Sequence, residues 1–216
     1  GVDTPECLEQ VRAIISGQAP APQPTLNDVR LVITDVDGVL TDGGIYYDAT
    51  GECLKRFHVR DGMGMRLLEE NGVCVAVLSG RDSATLRKRV ADLGITLCQF
   101  GVKDKQAACN QLMAEAGFSA AQTACIGDDC IDLPAFAACA LSFAVADAPV
   151  YVKAAATHTL TAAGGTGAFR EVADAILFAQ GKDAVLGTAA GYAQVMAKMA
   201  QWQQSWLVTS NPAPCW

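Results

Sequence analysis

The sequence predicts an α/β fold with a Rossmann-like, mainly parallel sheet and helices on both faces. Short apolar runs of strand length alternate with longer helical patterns, as in sheets built from β-α-β units. Polar and acidic residues directly follow several of these runs, as they do at the carboxyl edge of an open parallel sheet. A chain of 216 residues, 51% of them hydrophobic, has room for one such domain with a sizeable core.

We divide the chain into three parts. Residues 1–28 contain a predicted helix over 4–16 followed by a Pro-rich linker, and residues 29–182 form the main domain. Residues 183–216 form a C-terminal helical extension. Its larger apolar residues recur at helical spacing, so we predict an amphipathic helix over 183–206 that packs on the core or on a neighbouring subunit.

Strands and helices should alternate along the main domain, with right-handed crossovers. Residues 45–57 interrupt this order, because a turn-forming stretch from Asp48 to Gly51 separates two arms of strand formers and so predicts a β-hairpin. The other predicted strands lie near 30–35, 73–78, 96–100, 122–126 and 141–144. The predicted helices lie at about 61–71, 82–93, 103–117, 130–139 and 168–179.

Composition excludes several classes of protein. The net charge of −7 argues against a nucleic-acid-binding protein. No apolar stretch is long enough to span a membrane, and no secretory signal is visible. Nine cysteines without a CxxC pair favour free thiols and a cytoplasmic setting. With two histidines and no Cys/His cluster in the sequence, we do not expect a zinc site.

The most informative motif is Asp35-Val36-Asp37-Gly38, which directly follows a predicted buried strand. Two carboxylates at such a strand end can point into one pocket, and Gly38 lets the backbone turn close to a ligand. One carboxylate can attack a phosphorus atom, the other can shuttle a proton, and both can help to hold a divalent cation. Taken alone, the motif could equally be a turn with solvated acids.

Three further polar signals follow later strands and favour the chemical interpretation. Ser79-Gly80-Arg81 ends one apolar run, Lys105 follows the next, and Gly127-Asp128-Asp129 ends another. Together they supply acids for a cation and a hydroxyl and an ammonium group for phosphate oxygens. Ser79 could instead cap the next helix, a role open equally to Asp82 or Ser83.

With these motifs the chain resembles the haloacid dehalogenase-like phosphatases, and among them the 3-deoxy-D-manno-octulosonate 8-phosphate phosphatases. The resemblance covers about residues 29–182. It rests on DVDGVLTDG, FHVRDGMG, LSGR, GDDCIDLP, AVADA and GGTGAFREV. It implies a Mg²⁺-dependent hydrolase of a sugar-acid phosphate in lipopolysaccharide synthesis, with a hairpin flap in place of a cap domain. It also implies a homotetramer in which neighbours cover the site, and the apolar hairpin residues Ile45, Tyr46 and Tyr47 suit such an interface.

The motifs and the resemblance together assign the site. Asp35 is the predicted nucleophile, Asp37 the general acid and base, and Lys105 the electrostatic partner of the phosphoryl group. Substrate binding is predicted for Gly38, Arg60, Ser79, Gly80, Arg81 and Arg170, the arginines facing the carboxylate of the sugar acid. The predicted Mg²⁺ ligands are Asp35, the main-chain carbonyl of Asp37 and Asp128. The resemblance adds Asp129, which it implies acts through water. Asp132 could cap a helix, orient Lys105 or bind the metal.

Other functions stay open at this stage. The nearest is a phosphatase of a nine-carbon, sialic-type acid 9-phosphate, which would keep the chemistry and change the substrate. A phosphoacceptor receiver domain also uses acids, a hydroxyl and a lysine at strand ends. It places an acidic pair at the first strand and its phosphorylated Asp later. Here the adjacent acids Asp128 and Asp129 come after Lys105, and a hairpin intervenes, so this class is disfavoured. A non-catalytic binding module is disfavoured, because Asp35 and Asp37 are both present.

Overall fold

The computed structural model describes residues 23–197, so the predicted N-terminal helix over 4–16 lies outside the described residues. Six strands form one parallel sheet in the order β5-β4-β1-β6-β7-β8, and a separate antiparallel pair, β2-β3, forms the predicted hairpin. The predicted fold class is confirmed. Among the described residues, none of the helices is both long and apolar enough to cross a membrane.

The bounds of the elements follow the predictions closely. The strands are β1 Leu31–Thr34, β2 Tyr46–Asp48, β3 Gly51–Leu54, β4 Cys74–Leu78, β5 Leu97–Gln99, β6 Thr123–Gly127, β7 Leu141–Ala144 and β8 His158–Thr159. The helices are α1 Val59–Glu70, α2 Ala84–Leu93, α3 Lys105–Ala116, α4 Leu133–Ala138, α5 Val150–Ala155, α6 Ala168–Ala179 and α7 Ala184–Gly187.

The core lies on both faces of the central strands. Every residue of β1 is buried, as expected for an inner parallel strand covered by helices on each side. Neighbouring strands β4 and β6 pair with β1 in register, so their carboxyl ends emerge side by side. This juxtaposition brings the polar residues after β1, β4 and β6 to one edge of the sheet.

Helices α1 and α6 pack closely against each other on one face. A methyl group at Gly64 would lie 3.2 Å from Ala173 Cβ and 3.3 Å from Arg170 Cα, so only a glycine fits there without displacement. The buried carboxylate of Asp61 in α1 accepts a hydrogen bond of 2.9 Å from the Arg170 amide in the first turn of α6. One helix therefore caps the other across the interface.

Two short elements and one helix break were not predicted. Strand β8 extends the sheet beyond β7, and helix α5 connects the two strands. Both elements are too short to produce a clear periodic pattern. The single helix predicted over 183–206 is wrong at Thr188, where the backbone is extended between α7 and a second helical segment that begins at residue 189. Residues 198–206 of that prediction lie outside the described residues. Thr188 Oγ1 accepts a hydrogen bond from Gly191 N at 2.9 Å, which caps that new segment.

Two further features were not predicted. His58 is the N-cap of α1 and accepts a hydrogen bond from the Arg60 amide. The thiols of Cys109, Cys125 and Cys139 lie within 4.8 Å of one another in the core. Their sequence separation is large, so only the tertiary fold brings them together.

Candidate active site

An acidic cluster lies at the carboxyl edge of the central strands. Asp35 follows β1, Asp128 follows β6, and Asp132 ends the 3-10 turn that leads into α4. One carboxylate oxygen from each lies within 4.8 Å of the others. Asp35 and Asp132 are buried and Asp128 is half-buried, so their charges are poorly screened by water.

Lys105 is the positive charge of this cluster. Its N-cap, Asp104, starts α3 so that Lys105 is the first helical residue, as predicted. The buried ammonium lies 3.0 Å from Asp35 Oδ1 and 2.5 Å from Asp132 Oδ1. Burial alone lowers the pKa of Lys105, but the attraction of Asp35 and Asp132 outweighs burial and raises that pKa above its usual range. Lys105 therefore stays charged.

Asp132 has both oxygens engaged. Its Oδ1 holds Lys105, while its Oδ2 accepts hydrogen bonds from the amides of Asp128 and Asp129, at 2.9 and 3.2 Å. Of the three roles left open for Asp132, this geometry favours orienting Lys105 and fixing the loop that carries Asp128.

The three carboxyl groups of the cluster, when ionised, carry more negative charge than Lys105 alone can balance. Burial, and then repulsion from Asp132, raise the pKa of Asp35 to about 7 despite the nearby ammonium. Burial and repulsion from Asp35 and Asp132 raise the pKa of Asp128 to about 8. The cluster therefore favours either a proton or a further positive charge.

Asp37 faces a cation from the hairpin. The ammonium of Lys55, just beyond β3, contacts Asp37 Oδ1, and its side chain is 0% exposed. The other oxygen, Asp37 Oδ2, is buried and has no hydrogen-bond partner among the described residues. The Asp37 carboxylate is thus held on one side and unpaired on the other.

Sequence reasoning missed Lys55 and its neighbour Glu52. Glu52 Oε1 lies 3.3 Å from Lys55 Nζ, and Glu52 Oε2 lies 3.1 Å from Arg81 Nη2. Both missed residues stand on one arm of the predicted hairpin. Hairpin charges are usually solvated, and only the direction in which the hairpin folds back over the sheet identifies these two as site residues.

Ser79 and Gly80, the predicted phosphate-binding residues, directly follow β4. Ser79 is buried, and its Oγ accepts a hydrogen bond of 3.1 Å from the Arg81 amide, which leaves the hydroxyl hydrogen able to donate. Ser83, not Ser79, caps α2 by accepting a bond from Leu86 N. The capping alternative for Ser79 is therefore not realised.

Gly38 makes the tight turn after the two acids. Its φ of +92° suits glycine, and a Cβ there would lie 2.0 Å from Asp128 Oδ2. Its amide donates to Thr41 Oγ1 at 3.3 Å. The glycine loop before α6 packs on this turn: a Cβ at Gly164 would lie 1.9 Å from the Gly38 carbonyl oxygen. That loop is buried at Gly164 and Gly165.

The side-chain contacts described for the other predicted site residues are with groups other than the three carboxylates of the acidic cluster. Arg81 bonds Glu52 and the Tyr47 hydroxyl of the hairpin. Arg170 pairs with Asp174 in its own helix at 2.6 Å, and Arg60 is exposed. Asp129 stands outside the acidic cluster, with Oδ1 accepting from Cys130 N at 2.6 Å and Tyr151 Oη at 3.4 Å.

The comparisons agree with this architecture. A family model described as haloacid dehalogenase-like hydrolase matches residues 101–169. That match, the parallel sheet and the acids at its carboxyl edge define a haloacid dehalogenase-like hydrolase. A 3-deoxy-D-manno-octulosonate 8-phosphate phosphatase of Haemophilus influenzae is 58% identical over 179 residues, which are 83% of this chain and 99% of that relative. The chain therefore belongs to the 3-deoxy-D-manno-octulosonate 8-phosphate phosphatase family.

Solved structures support the same assignment. The cobalt-bound form of the Haemophilus influenzae phosphatase has a TM-score of 0.77 and 60% identity, and covers 78% of this chain and 98% of its own. The Moraxella catarrhalis phosphatase, in complex with magnesium, phosphate and 3-deoxy-D-manno-octulosonate, has a TM-score of 0.72 and 36% identity, and covers 74% and 93%. Both of these structures hold a divalent metal ion.

The residues of this chain fit such an ion. Asp35 and Asp128 offer carboxylate oxygens that are close together and short of positive charge, whereas the two oxygens of Asp132 are engaged by Lys105 and by backbone amides. An all-oxygen donor set of this kind suits a hard divalent cation. Membership of a hydrolase family also disfavours the receiver-domain alternative.

Proposed function

We propose that this protein is a Mg²⁺-dependent phosphatase that hydrolyses 3-deoxy-D-manno-octulosonate 8-phosphate through an aspartyl-phosphate intermediate. One observation carries the proposal. Asp35 lies buried at the end of the central strand, beside Lys105 at 3.0 Å and within the cluster that contains Asp128, in a chain that spans a relative of this activity almost completely. The proposed nucleophile, a cation and acids suited to a metal ion thus lie together, as phosphoryl transfer requires.

The reaction begins with attack of an Asp35 carboxylate oxygen on the phosphorus atom of the substrate. The phosphorus–oxygen bond to the sugar breaks, and Asp37 donates a proton to the departing oxygen. Asp37, now a carboxylate, then removes a proton from a water molecule that attacks the acyl phosphate. Inorganic phosphate leaves, and Asp35 is regenerated.

The negative charge of the phosphoryl group must be neutralised during both transfers. Lys105, the Ser79 hydroxyl and the Gly80 amide are the proposed donors to its oxygens. Mg²⁺, when held by Asp35, the Asp37 carbonyl, Asp128 and, through water, Asp129, supplies further positive charge to the phosphate. Asp132 keeps Lys105 in place for this role through its bond of 2.5 Å.

The identity of the sugar acid depends on groups that meet its carboxylate. Arg60, Arg81 and Arg170 are the proposed candidates, and Arg81 is favoured because it lies under the hairpin with Glu52 and Tyr47. A nine-carbon, sialic-type acid 9-phosphate is the alternative substrate. It would use the same acids, so only the contacts around the leaving group separate the two.

We further infer a homotetramer in which hairpins pack together. Ile45, Tyr46 and Tyr47 are exposed on the hairpin, Tyr47 by 62%, which makes a large apolar surface next to the site. A cytoplasmic setting is inferred from the seven cysteines within residues 23–197, all of which are free thiols.

The test is phosphate release from a panel of phosphate esters with and without Mg²⁺. The panel contains the eight-carbon sugar acid 8-phosphate, the nine-carbon acid 9-phosphate and a hexose 6-phosphate that lacks a carboxylate. We expect the highest kcat/KM for the first, loss of turnover in EDTA and recovery with Mg²⁺. Asp35→Asn should be inactive while remaining folded. Turnover that survives chelation or this substitution would overturn the mechanism, and a preference for the nine-carbon ester would favour the alternative substrate.

A further inference from the structure

The hairpin brings a buried lysine to the proposed general acid. Lys55 follows β3, and its side chain is 0% exposed although the hairpin around it is largely exposed. A lysine is rarely buried so completely unless its charge is paired. Here the ammonium contacts Asp37 Oδ1 and lies 3.3 Å from Glu52 Oε1.

This contact makes the two oxygens of Asp37 different. Oδ1 is occupied by Lys55, whereas Oδ2 is buried and has no partner among residues 23–197. A buried carboxylate oxygen without a partner is costly in a resting protein. It is expected where that oxygen carries a proton for an incoming acceptor, and the oxygen atom that leaves with the sugar is such an acceptor.

We propose that Lys55 is a positioning residue that holds Asp37 by Oδ1 and so directs Oδ2 toward the leaving oxygen of the substrate. The inference rests on the proposed function and deepens it, because it assigns the hairpin a part in proton transfer. In this step Asp37 carries a proton on Oδ2 when the substrate is bound, and that proton passes to the sugar oxygen as its bond to phosphorus breaks. The Asp37 carboxylate formed at that moment is stabilised by the adjacent ammonium.

Glu52 links this function to the position of the hairpin. Its Oε1 holds Lys55, and its Oε2 holds Arg81 at the end of β4. Thr85 Oγ1 also donates to Glu52 Oε1, at 3.4 Å. Lys55 is therefore in place only when the hairpin lies against the sheet.

The experiment compares two substrates whose leaving groups need a proton to different degrees. A sugar-acid phosphate releases an alkoxide-like oxygen that must be protonated, whereas nitrophenyl phosphate releases a stable phenolate. The ratio of kcat/KM for the two substrates reports proton transfer to the leaving group, because kcat/KM ends at the first irreversible step. Asp37→Asn provides the reference ratio for loss of the acid.

Lys55→Met should lower kcat/KM for the sugar-acid phosphate by roughly 10- to 100-fold, less than the roughly 10²- to 10⁴-fold usual for loss of a general acid. The value for nitrophenyl phosphate should fall by less than about threefold. Lys55→Arg should restore most of the sugar-phosphate activity, and Glu52→Gln should give an intermediate loss with the same selectivity. Lys88→Met, an exposed lysine paired with Asp92, is the matched control and should match wild type.

Equal losses on both substrates, or none, would overturn the proposal. If Lys55→Met does not fold, the ratios of Lys55→Arg and Glu52→Gln decide between the same outcomes. Failure of the proposed mechanism would look different, because Asp35→Asn would then remain active on both substrates whatever Lys55 does, and a wrong sugar acid would show as a preference for another ester in the substrate panel.

Discussion

Removing the proposed nucleophile should stabilise the metal-free protein while it abolishes turnover. Asp35 is buried among other acids, and its pKa is raised from 3.8 to about 7 by burial and by Asp132, even with Lys105 beside it. The folded protein therefore binds this proton more tightly than the unfolded chain does. Its stability should fall as the pH rises from about 4 to about 7.

The magnitude follows from that pKa. Each tenfold change in an acid constant corresponds to about 1.4 kcal/mol, so ionising Asp35 costs the folded state about 4 kcal/mol above pH 7. Asp35→Asn removes this cost but accepts a weaker hydrogen bond from Lys105 than the carboxylate does. We expect a net increase of about 2–4 kcal/mol in the free energy of unfolding at pH 8 in EDTA.

Urea denaturation followed by circular dichroism would measure this difference. The difference in the free energy of unfolding between variant and wild type should nearly vanish at about pH 3, where Asp35 is mostly protonated in both the folded and the unfolded state. It should also narrow with Mg²⁺, because the proposed metal site should hold the ion more tightly in the wild-type protein than in the variant. Asp183→Asn, an exposed acid whose side chain makes no capping bond, is the control and should change little. A variant less stable than wild type in EDTA at pH 8, or a gap independent of pH, would refute the reasoning.

Three further predictions concern packing, capping and assembly. Gly64→Ala should lower the free energy of unfolding by about 1–3 kcal/mol, because its methyl group would lie 3.2 Å from α6. Gly187→Ala is the control, since a methyl group there meets open space and should not destabilise the protein. Urea denaturation measures both variants, and equal effects would contradict the packing argument. Asp61→Asn keeps an acceptor for the Arg170 amide and removes a carboxyl group whose pKa is raised by burial. At pH 8 this variant should therefore be more stable than Asp61→Ala by about 1 kcal/mol. Thermal unfolding at equal midpoints would show that Asp61 does not act as a cap of α6. Tyr47→Glu should shift light-scattering mass toward smaller species and lower turnover per site together, and a fall in mass alone would show that neighbours do not cover the site.

The sequence was sufficient to predict what depends on strand ends. Asp35, Ser79 and Asp128 each follow an apolar run, and parallel strands must present such residues at one edge of the sheet. The helix start at Lys105 and the hairpin over 45–57 were predicted from equally local signals. Predictions of this kind match the structure because they depend on local backbone geometry rather than on contacts between distant segments.

What could not be predicted depends on contacts between distant segments. The pairing of Lys55 with Asp37 requires the hairpin to fold back over the sheet, and nothing in its own sequence specifies that direction. The contact of Asp61 with Arg170 joins two helices that are far apart in the chain. Strand β8 contains two residues, too few for any periodicity to appear.

The contact between Gly38 and Gly164 has a consequence for synthesis of the protein. The turn that carries the two acids leaves the ribosome early, but the segment that packs on it is made more than half a chain length later. At roughly 5–20 residues per second, the nascent chain would wait on the order of ten seconds between these events. During that interval the turn that carries Asp35 and Asp37 lacks the glycine loop that packs on it. The growing chain should therefore be unable to hydrolyse phosphate esters until its last third has been translated.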